Sequence, residues 1–315
     1  MTAEIPPSDW FARAIDNIAR GTRSDLSSYL HTVADSEIIG QSHARLHVRW
    51  LPNDAHGRPR LAALAERLAE EILDYCIPRS RIRAALDHQK LTGSSSRILR
   101  LENEARRLFT SSTTSGEGGE LLLYALLEIG LGIPQILCKM PLKTSSDMHI
   151  HGVDGVHAIA TEDGVAVYWG ESKVYADFSS AMAACFDSVA PFLKDDGAGA
   201  LRRDLQLARE GLDAGSREIT LKLAKFFDPD EGEAQKLEMR AACLIGFGLS
   251  GQPQPFDEFG ALTNEVREKI DGWSSAISSR ISKKDVESFH IEVFCVPFET
   301  ADAFRAAIRT ALAVS

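Results

Sequence analysis

An acidic and a basic side chain lie two positions apart in the stretch YWGESKVY, residues 168–175. The residues just before them, VAVYW, are mostly β-branched or aromatic, which favours a strand. Side chains on a strand repeat every second residue, so Glu171 and Lys173 continue the apolar row that runs from Val165 to Trp169. Charges in such a row indicate either a structural ion pair or a reactive site.

A second carboxylate precedes this pair in HGVDGVH, where Asp154 lies within another predicted strand. Glu162, Asp163 and Gly164 separate the two strands and have the turn chemistry of a hairpin. A hairpin would bring Asp154 and Glu171 side by side at one end of a sheet.

A third acid, Glu120, lies near the start of a helix predicted over 116–131. Its neighbours three, four and seven positions on are Leu123, Tyr124 and Leu127, so it would belong to an apolar face. Burying a carboxylate there costs several kcal/mol unless it is paired or bound to a cation.

These residues offer the chemistry of a divalent metal site. Mg²⁺ is bound by oxygen ligands from one or two carboxylates, together with water and phosphate oxygens. A lysine one pleat repeat from a metal ligand can polarise an attacking water and offset the charge that develops on a phosphodiester.

Other interpretations of the same residues remain open. Glu171 and Lys173 could form only an edge-strand ion pair. The segment 147–157 could instead hold a zinc hydrolase cluster, although no HExxH or CxxC accompanies it. The members of that cluster would be Asp147, His149, His151, Asp154 and His157. Lys139 and Lys143 could line a groove or be structural, and His149 and His151 could line a phosphate site or lie at a strand end.

Two neighbouring glutamates are expected to have simpler roles. The spacing Thr114-x-x-Glu117 predicts a capping box at the helix start, in which Glu117 satisfies backbone donors. Glu128 lies about 80° around the helix from Glu120 and is predicted to be solvated.

The composition limits the classes of function. The chain has 315 residues with 35 basic and 45 acidic side chains, a net charge of -10 that disfavours unaided binding to a polyanion. It lacks an apolar run of about 20 residues and a signal-like N-terminus, so we expect a cytoplasmic protein without membrane contact. Its five cysteines are widely spaced and are expected to be free buried thiols.

The order of predicted elements indicates an α/β fold in which helices flank a mixed β-sheet on both sides, with an N-terminal α+β part. We divide the chain into an N-terminal part, 1–99, and a core, 100–315. The segment 78–107 has eight basic residues against three acids and is interpreted as either a phosphate-tracking surface or a solvated helix face.

The order Glu120, Asp154 and Glu171-Ser172-Lys173, on a helix and two strands, resembles the PD-(D/E)XK nuclease superfamily. This resemblance implies a restriction-endonuclease-like mixed β-sheet flanked by helices, and hence a nuclease-like core over 100–315. More specifically, GEGGELLLYALLE, CKMPLKTSSDMHIHGVDGVHA and YWGESKVY in that order resemble the HamA nuclease-subunit family of the Hachiman antiphage defence system. The motif match spans about 115 to 176.

This resemblance implies a Mg²⁺- or Mn²⁺-dependent DNA nuclease that works with a helicase subunit. By position, it implies that Asp154 and Glu171 are metal ligands, that Lys173 is the catalytic lysine, and that Glu120 is a further ligand or an orienting acid. The alternative from another class is a catalytically silent adaptor that binds DNA or a defence helicase.

Overall fold

Seven strands form one mixed sheet in the computed structural model, which describes residues 12–15, 18–20, 24–109, 116–138, 154–162, 164–194, 200–251 and 253–312. The strands are β1 His31–Ile38, β2 Arg45–Trp50, β3 Gln135–Leu137, β4 Gly155–Ala160, β5 Val165–Tyr175, β6 Leu237–Gly248 and β7 Ile291–Phe298. Their order across the sheet is β1-β2-β7-β6-β5-β4-β3. Strands β2, β7, β6 and β5, which are consecutive in the sheet, run parallel to one another. Strands β1, β4 and β3 are antiparallel to their neighbours.

Helices cover both faces of this sheet, which confirms the predicted α/β class. They are α1 Ser24–Ser27, α2 Leu61–Glu70, α3 Ile72–Cys76, α4 Arg79–Thr92, α5 Ser96–Leu108, α6 Glu117–Ala125, α7 Phe178–Lys194, α8 Ala200–Gly211, α9 Arg217–Phe226, α10 Asn264–Lys284 and α11 Ala301–Leu312. A π-helical turn, Leu126–Leu131, continues α6, and a 3₁₀ turn, Gly232–Lys236, precedes β6.

The predicted hairpin is confirmed by β4 and β5. These strands pair antiparallel from Gly155 opposite Gly170 to Ala160 opposite Val165. The sequence predicts Asp154 inside the first strand of the hairpin, but it comes directly before β4. Of the three turn residues, Asp163 lies outside the described residues.

The two faces of β5 pack against different helices because its side chains alternate. Tyr168 and Val174 belong to the core formed with α2, α3, α6 and α11. Val165, Val167 and Trp169 belong to a core on the other face, with α8 and α9. By the same alternation, Glu171 continues the row of Val165, Val167 and Trp169.

The strands of the N-terminal part extend the same sheet. β2 pairs in parallel with β7, from Arg45 opposite Glu292 to Val48 opposite Cys295. The residue-99 boundary remains a prediction. The basic segment 78–107, which spans this boundary, folds as the two helices α4 and α5, joined at Gly93, whose φ of 75° suits glycine.

The predicted state of the cysteines is also confirmed. All five are free and buried. Within the described ranges, we find no helix with the length and hydropathy that crossing a bilayer requires.

Candidate functional site

Glu171 and Lys173 meet at the end of β5. Lys173 Nζ forms an ion pair with Glu171 Oε1, and their side chains are 25% and 4% exposed, respectively. Burial lowers the pKa of Lys173, but the hydrogen bond and charge of Glu171, and then the charge of Asp154, outweigh it and raise the pKa above its ordinary value. Lys173 is therefore an ammonium ion at neutral pH.

Asp154 lies at the adjoining end of β4. Its amide donates to Gly170 O at 2.7 Å, so the ladder between the two strands still holds at this residue. Its Oδ2 accepts from both Ser172 N and Ser172 Oγ, each at 2.7 Å. The carboxylate thus accepts the hydrogen bond from Ser172 N, the amide that follows Glu171, which a backbone carbonyl of the neighbouring strand would otherwise accept.

Glu120 is half-buried on α6 and accepts a hydrogen bond from Tyr75 Oη at 3.1 Å. The pKa of Tyr75 is well above its usual value because the ring is buried and because Glu120 and, more weakly, Asp154 are negatively charged. The phenol therefore stays protonated and can orient the Glu120 carboxylate.

Two glycines explain how α6 approaches the sheet so closely. A Cβ at Gly119 would lie 3.0 Å from Val174 Cγ2 and 3.2 Å from Ser172 Oγ, and one at Gly118 would lie 3.2 Å from Ile308. The GEGG stretch thus lets the helix rest on β5 and α11 at once. This contact sets the position of Glu120 relative to the strand.

The structure brings Glu171 and Lys173 together and puts Asp154 beside them. Glu120 comes from the helix on the other face of β5, the face of Ser172 and Val174. Asp154 lies near both groups, since its negative charge contributes to the raised pKa of Tyr75 and to that of Lys173. In the described part of the chain, His, Cys, Asp and Glu side chains form no group of three or more that is placed to hold a metal ion.

The donor set nevertheless suits Mg²⁺ or Mn²⁺ in type and number. Mg²⁺ usually keeps several waters and takes only one or two protein carboxylates, with phosphate oxygens completing its shell. Asp154 and Glu171 supply two carboxylates at adjoining strand ends. It remains a prediction that Asp154 and Glu171 are metal ligands, and that Glu120 is a third ligand.

The prediction that Glu128 is solvated is wrong. It is 1% exposed and binds Arg79 Nη2 at 2.6 Å, Gln135 N at 2.6 Å and Arg20 N at 3.0 Å. Burial raises its pKa despite the nearby Arg79 charge. Residues 121–129 of this helical segment are all buried. The side of the helix that we predicted to face water therefore packs against Arg79 instead.

The capping-box interpretation of Glu117 is also wrong in its register. Gly116 is the N-cap residue of α6, and among the described residues no side chain bonds to the cap. Glu117 is the first helical residue and is 7% exposed. Thr114 lies outside the described residues.

The zinc interpretation gains no support from His157. This buried ring bonds through Nδ1 to Ile133 O at 2.8 Å and lies 6.1 Å from the Tyr124 ring. Burial lowers its pKa to about 4, so it is neutral. The remaining candidates of this region lie outside the described residues, namely Lys139, Lys143, Asp147, His149 and His151.

Sequence reasoning missed two residues of the site. Ser172 was treated only as the spacer between Glu171 and Lys173, although it holds Asp154. Tyr75 is forty-five positions from Glu120 and gave no local signal.

The model of one protein family, HamA, matches residues 27–312, nearly the whole chain. No curated protein matches the sequence.

Proposed function

Because the chain belongs to the HamA family, the Hachiman-system subunit of antiphage defence, we propose that it is a metal-dependent DNA nuclease that acts with a helicase subunit. The observation that carries the proposal is the Glu171–Lys173 ion pair at the strand end where Asp154 also lies. An acid, a lysine and a second acid converge there from two adjacent strands.

Each of these side chains has a role in phosphodiester hydrolysis. Asp154 and Glu171 would hold Mg²⁺ or Mn²⁺; when bound, the ion supplies an acidified water and neutralises the phosphate. Lys173, charged at neutral pH, donates hydrogen bonds and offsets the negative charge of the transition state, and it does not serve as the base.

The groups around them fix their orientation. Ser172 directs two donors at one oxygen of Asp154, which leaves Oδ1 as the oxygen that they do not engage. Tyr75 orients Glu120, which serves as a further ligand or as an orienting acid. Sites held in this way need little reorganisation during the reaction.

The helicase partner follows from the family and from charge. A chain with a net charge of -10 binds duplex DNA poorly by itself, and an ATP-driven partner would deliver the strand. Tight, salt-insensitive DNA binding by the isolated chain would contradict this part of the proposal.

The test is cleavage of DNA by the purified chain together with its helicase subunit. We expect cleavage only with Mg²⁺ or Mn²⁺, and its loss in Glu171→Gln, in Lys173→Met and in the double variant. The matched control is the surface pair Glu265 and Lys269, 63% and 33% exposed and 3.6 Å apart on α10, changed to Gln and Met. This control should cleave like the wild type.

Two outcomes would overturn the proposal. Full cleavage in the Glu171 and Lys173 variants would remove the site assignment. A wild-type complex that binds DNA but leaves it intact with every divalent ion would instead be the non-catalytic adaptor.

A further inference from the structure

The hairpin of α4 and α5 has positive charge that nearby acids do not neutralise, although the whole chain is acidic. Arg97, Arg100 and Arg107 are exposed on α5, and within the described residues no carboxylate forms an ion pair with any of them. Three exposed guanidinium groups without a carboxylate partner in the described part of the chain give this part of an acidic protein a local positive potential.

These arginines lie along one side of α5. Positions 97, 100, 104 and 107 are separated by three and four residues, which places their side chains in one row. At 1.5 Å per residue, the row from Arg97 to Arg107 is about 15 Å long. Glu104 is the only acid in it.

Arg81 of α4 cancels that acid. Its Nη1 and Nη2 donate to Glu104 Oε1 and Oε2 at 2.6 and 2.8 Å, a bidentate pair across the hairpin. The hydrogen bonds from Arg81 hold the pKa of Glu104 below its usual value. The row together with Arg81, named here the arginine stripe, thus has four cations against one acid.

The stripe faces away from α11. On the opposite side of α5, Arg106 bonds to Glu102 at 3.1 Å and reaches Ala311 O of α11 at 3.4 Å. Leu101 and Ala105 are buried toward the core. The side with the stripe is therefore left to solvent.

The base of the hairpin adjoins the candidate site. Phe109, the residue after α5, lies with its ring 6.2 Å from the ring of Tyr75. Tyr75 in turn donates to Glu120. The stripe thus ends one aromatic contact away from the site acids.

We infer that the arginine stripe binds the sugar-phosphate backbone of a nucleic acid strand and guides it toward the Asp154 and Glu171 end of the sheet. The guiding role rests on the nuclease proposal, whereas the binding role does not. A row of guanidinium groups suits charges that repeat along a polymer, because each arginine pairs with a phosphate in a bidentate way.

The test is equilibrium binding of labelled oligonucleotides in EDTA, where cleavage is excluded, with single-stranded DNA, duplex DNA and RNA as separate arms. The full chain is compared with Arg97→Gln/Arg100→Gln/Arg107→Gln. We expect weak wild-type binding that falls steeply with salt, and roughly tenfold weaker binding in the variant. The slope of log K against log salt should decrease by about two to three.

Two controls keep the outcome specific. Arg217→Gln/Arg267→Gln/Lys283→Gln changes the charge equally at exposed positions elsewhere and should bind like the wild type. Leu91→Ser/Leu99→Ser removes the hairpin's most exposed leucines, 85% and 57% exposed, and should also leave oligonucleotide binding unchanged.

Equal binding and equal salt slopes in the wild type and the arginine variant would overturn the inference. If the arginine variant weakened only helicase-subunit association and left oligonucleotide binding unchanged, the stripe would be a protein interface and the inference would be wrong. Wild-type binding in EDTA, with no cleavage after Mg²⁺ or Mn²⁺ and the helicase subunit are added, would contradict only the nuclease proposal, which separates the two claims.

Discussion

Asp154 Oδ2 accepts two hydrogen bonds from Ser172, one from the amide and one from the hydroxyl, both 2.7 Å long. The amide donor is fixed by the β5 backbone, whereas the hydroxyl can be removed by substitution. Ser172 therefore offers a way to loosen Asp154 without changing any charged residue of the site.

Ser172→Ala should lower the rate of DNA cleavage by about 10- to 100-fold, as substitutions behind a metal ligand commonly do. The metal concentration for half-maximal cleavage should rise, because Asp154 loses one of its two orienting donors. A metal titration of cleavage measures both effects. Ser275→Ala, on the exposed face of α10, is the control; a Ser172 variant with unchanged metal dependence would contradict the role.

The Glu171–Lys173 pair should show strong thermodynamic coupling. Either single variant, Glu171→Gln or Lys173→Met, leaves a largely buried charge without its main counterion and should reduce the free energy of unfolding by roughly 2 kcal/mol or more. The double variant should lose less than the two singles together. Urea unfolding of all four proteins gives the coupling energy, and additive losses would show that the pair is not coupled.

Gly119→Ala should push α6 away from β5. The new methyl group would lie 3.0 Å from Val174 Cγ2 and 3.2 Å from Ser172 Oγ, closer than carbon and oxygen atoms normally pack. We expect a loss of about 1–3 kcal/mol in unfolding free energy and reduced cleavage.

Gly130→Ala is the matched control for that helix. Its nearest neighbour would be Ala125 O at 3.9 Å, so the change should be neutral or stabilising by up to about 1 kcal/mol. Equal stability of the two glycine variants would show that Gly119 does not set the helix-to-strand distance.

The parts of the fold that local patterns control were predictable. The alternation before Glu171, the turn at 162–164 and the apolar stretch after Asp154 define the hairpin of β4 and β5, and the structure has it. The same patterns put Glu171 and Lys173 on one face, where they meet. Local spacing suffices because hairpin register depends on residues close in sequence.

The contacts between distant segments were not predictable. Glu128 is buried because Arg79, forty-nine positions earlier, reaches it, and helical angles contain no information about such a partner. Tyr75 reaches Glu120 for the same reason. Neighbours supplied by tertiary packing decide whether a polar face is solvated, so a single amphipathic pattern leaves that question open.

His157 predicts an acid-sensitive fold. Burial lowers its pKa to about 4 from an ordinary value of 6.5, so the unfolded chain takes up a proton before the native one does. Stability from this group is complete above pH 6.5 and is lost as the pH falls toward 4, by about 3 kcal/mol at most. Unfolding free energies from urea titrations across this range measure the loss.

His157→Asn tests the assignment, because the amide can donate to Ile133 O but does not titrate. The variant has a smaller side chain in a packed core, so its absolute stability should fall, yet its stability should vary less with pH between 6.5 and 4 than that of the wild type. His56→Asn, at an exposed turn position, should keep the wild-type pH dependence, since its side chain meets water in both states. Parallel pH curves for the wild type and His157→Asn would mean that His157 does not cause the acid sensitivity.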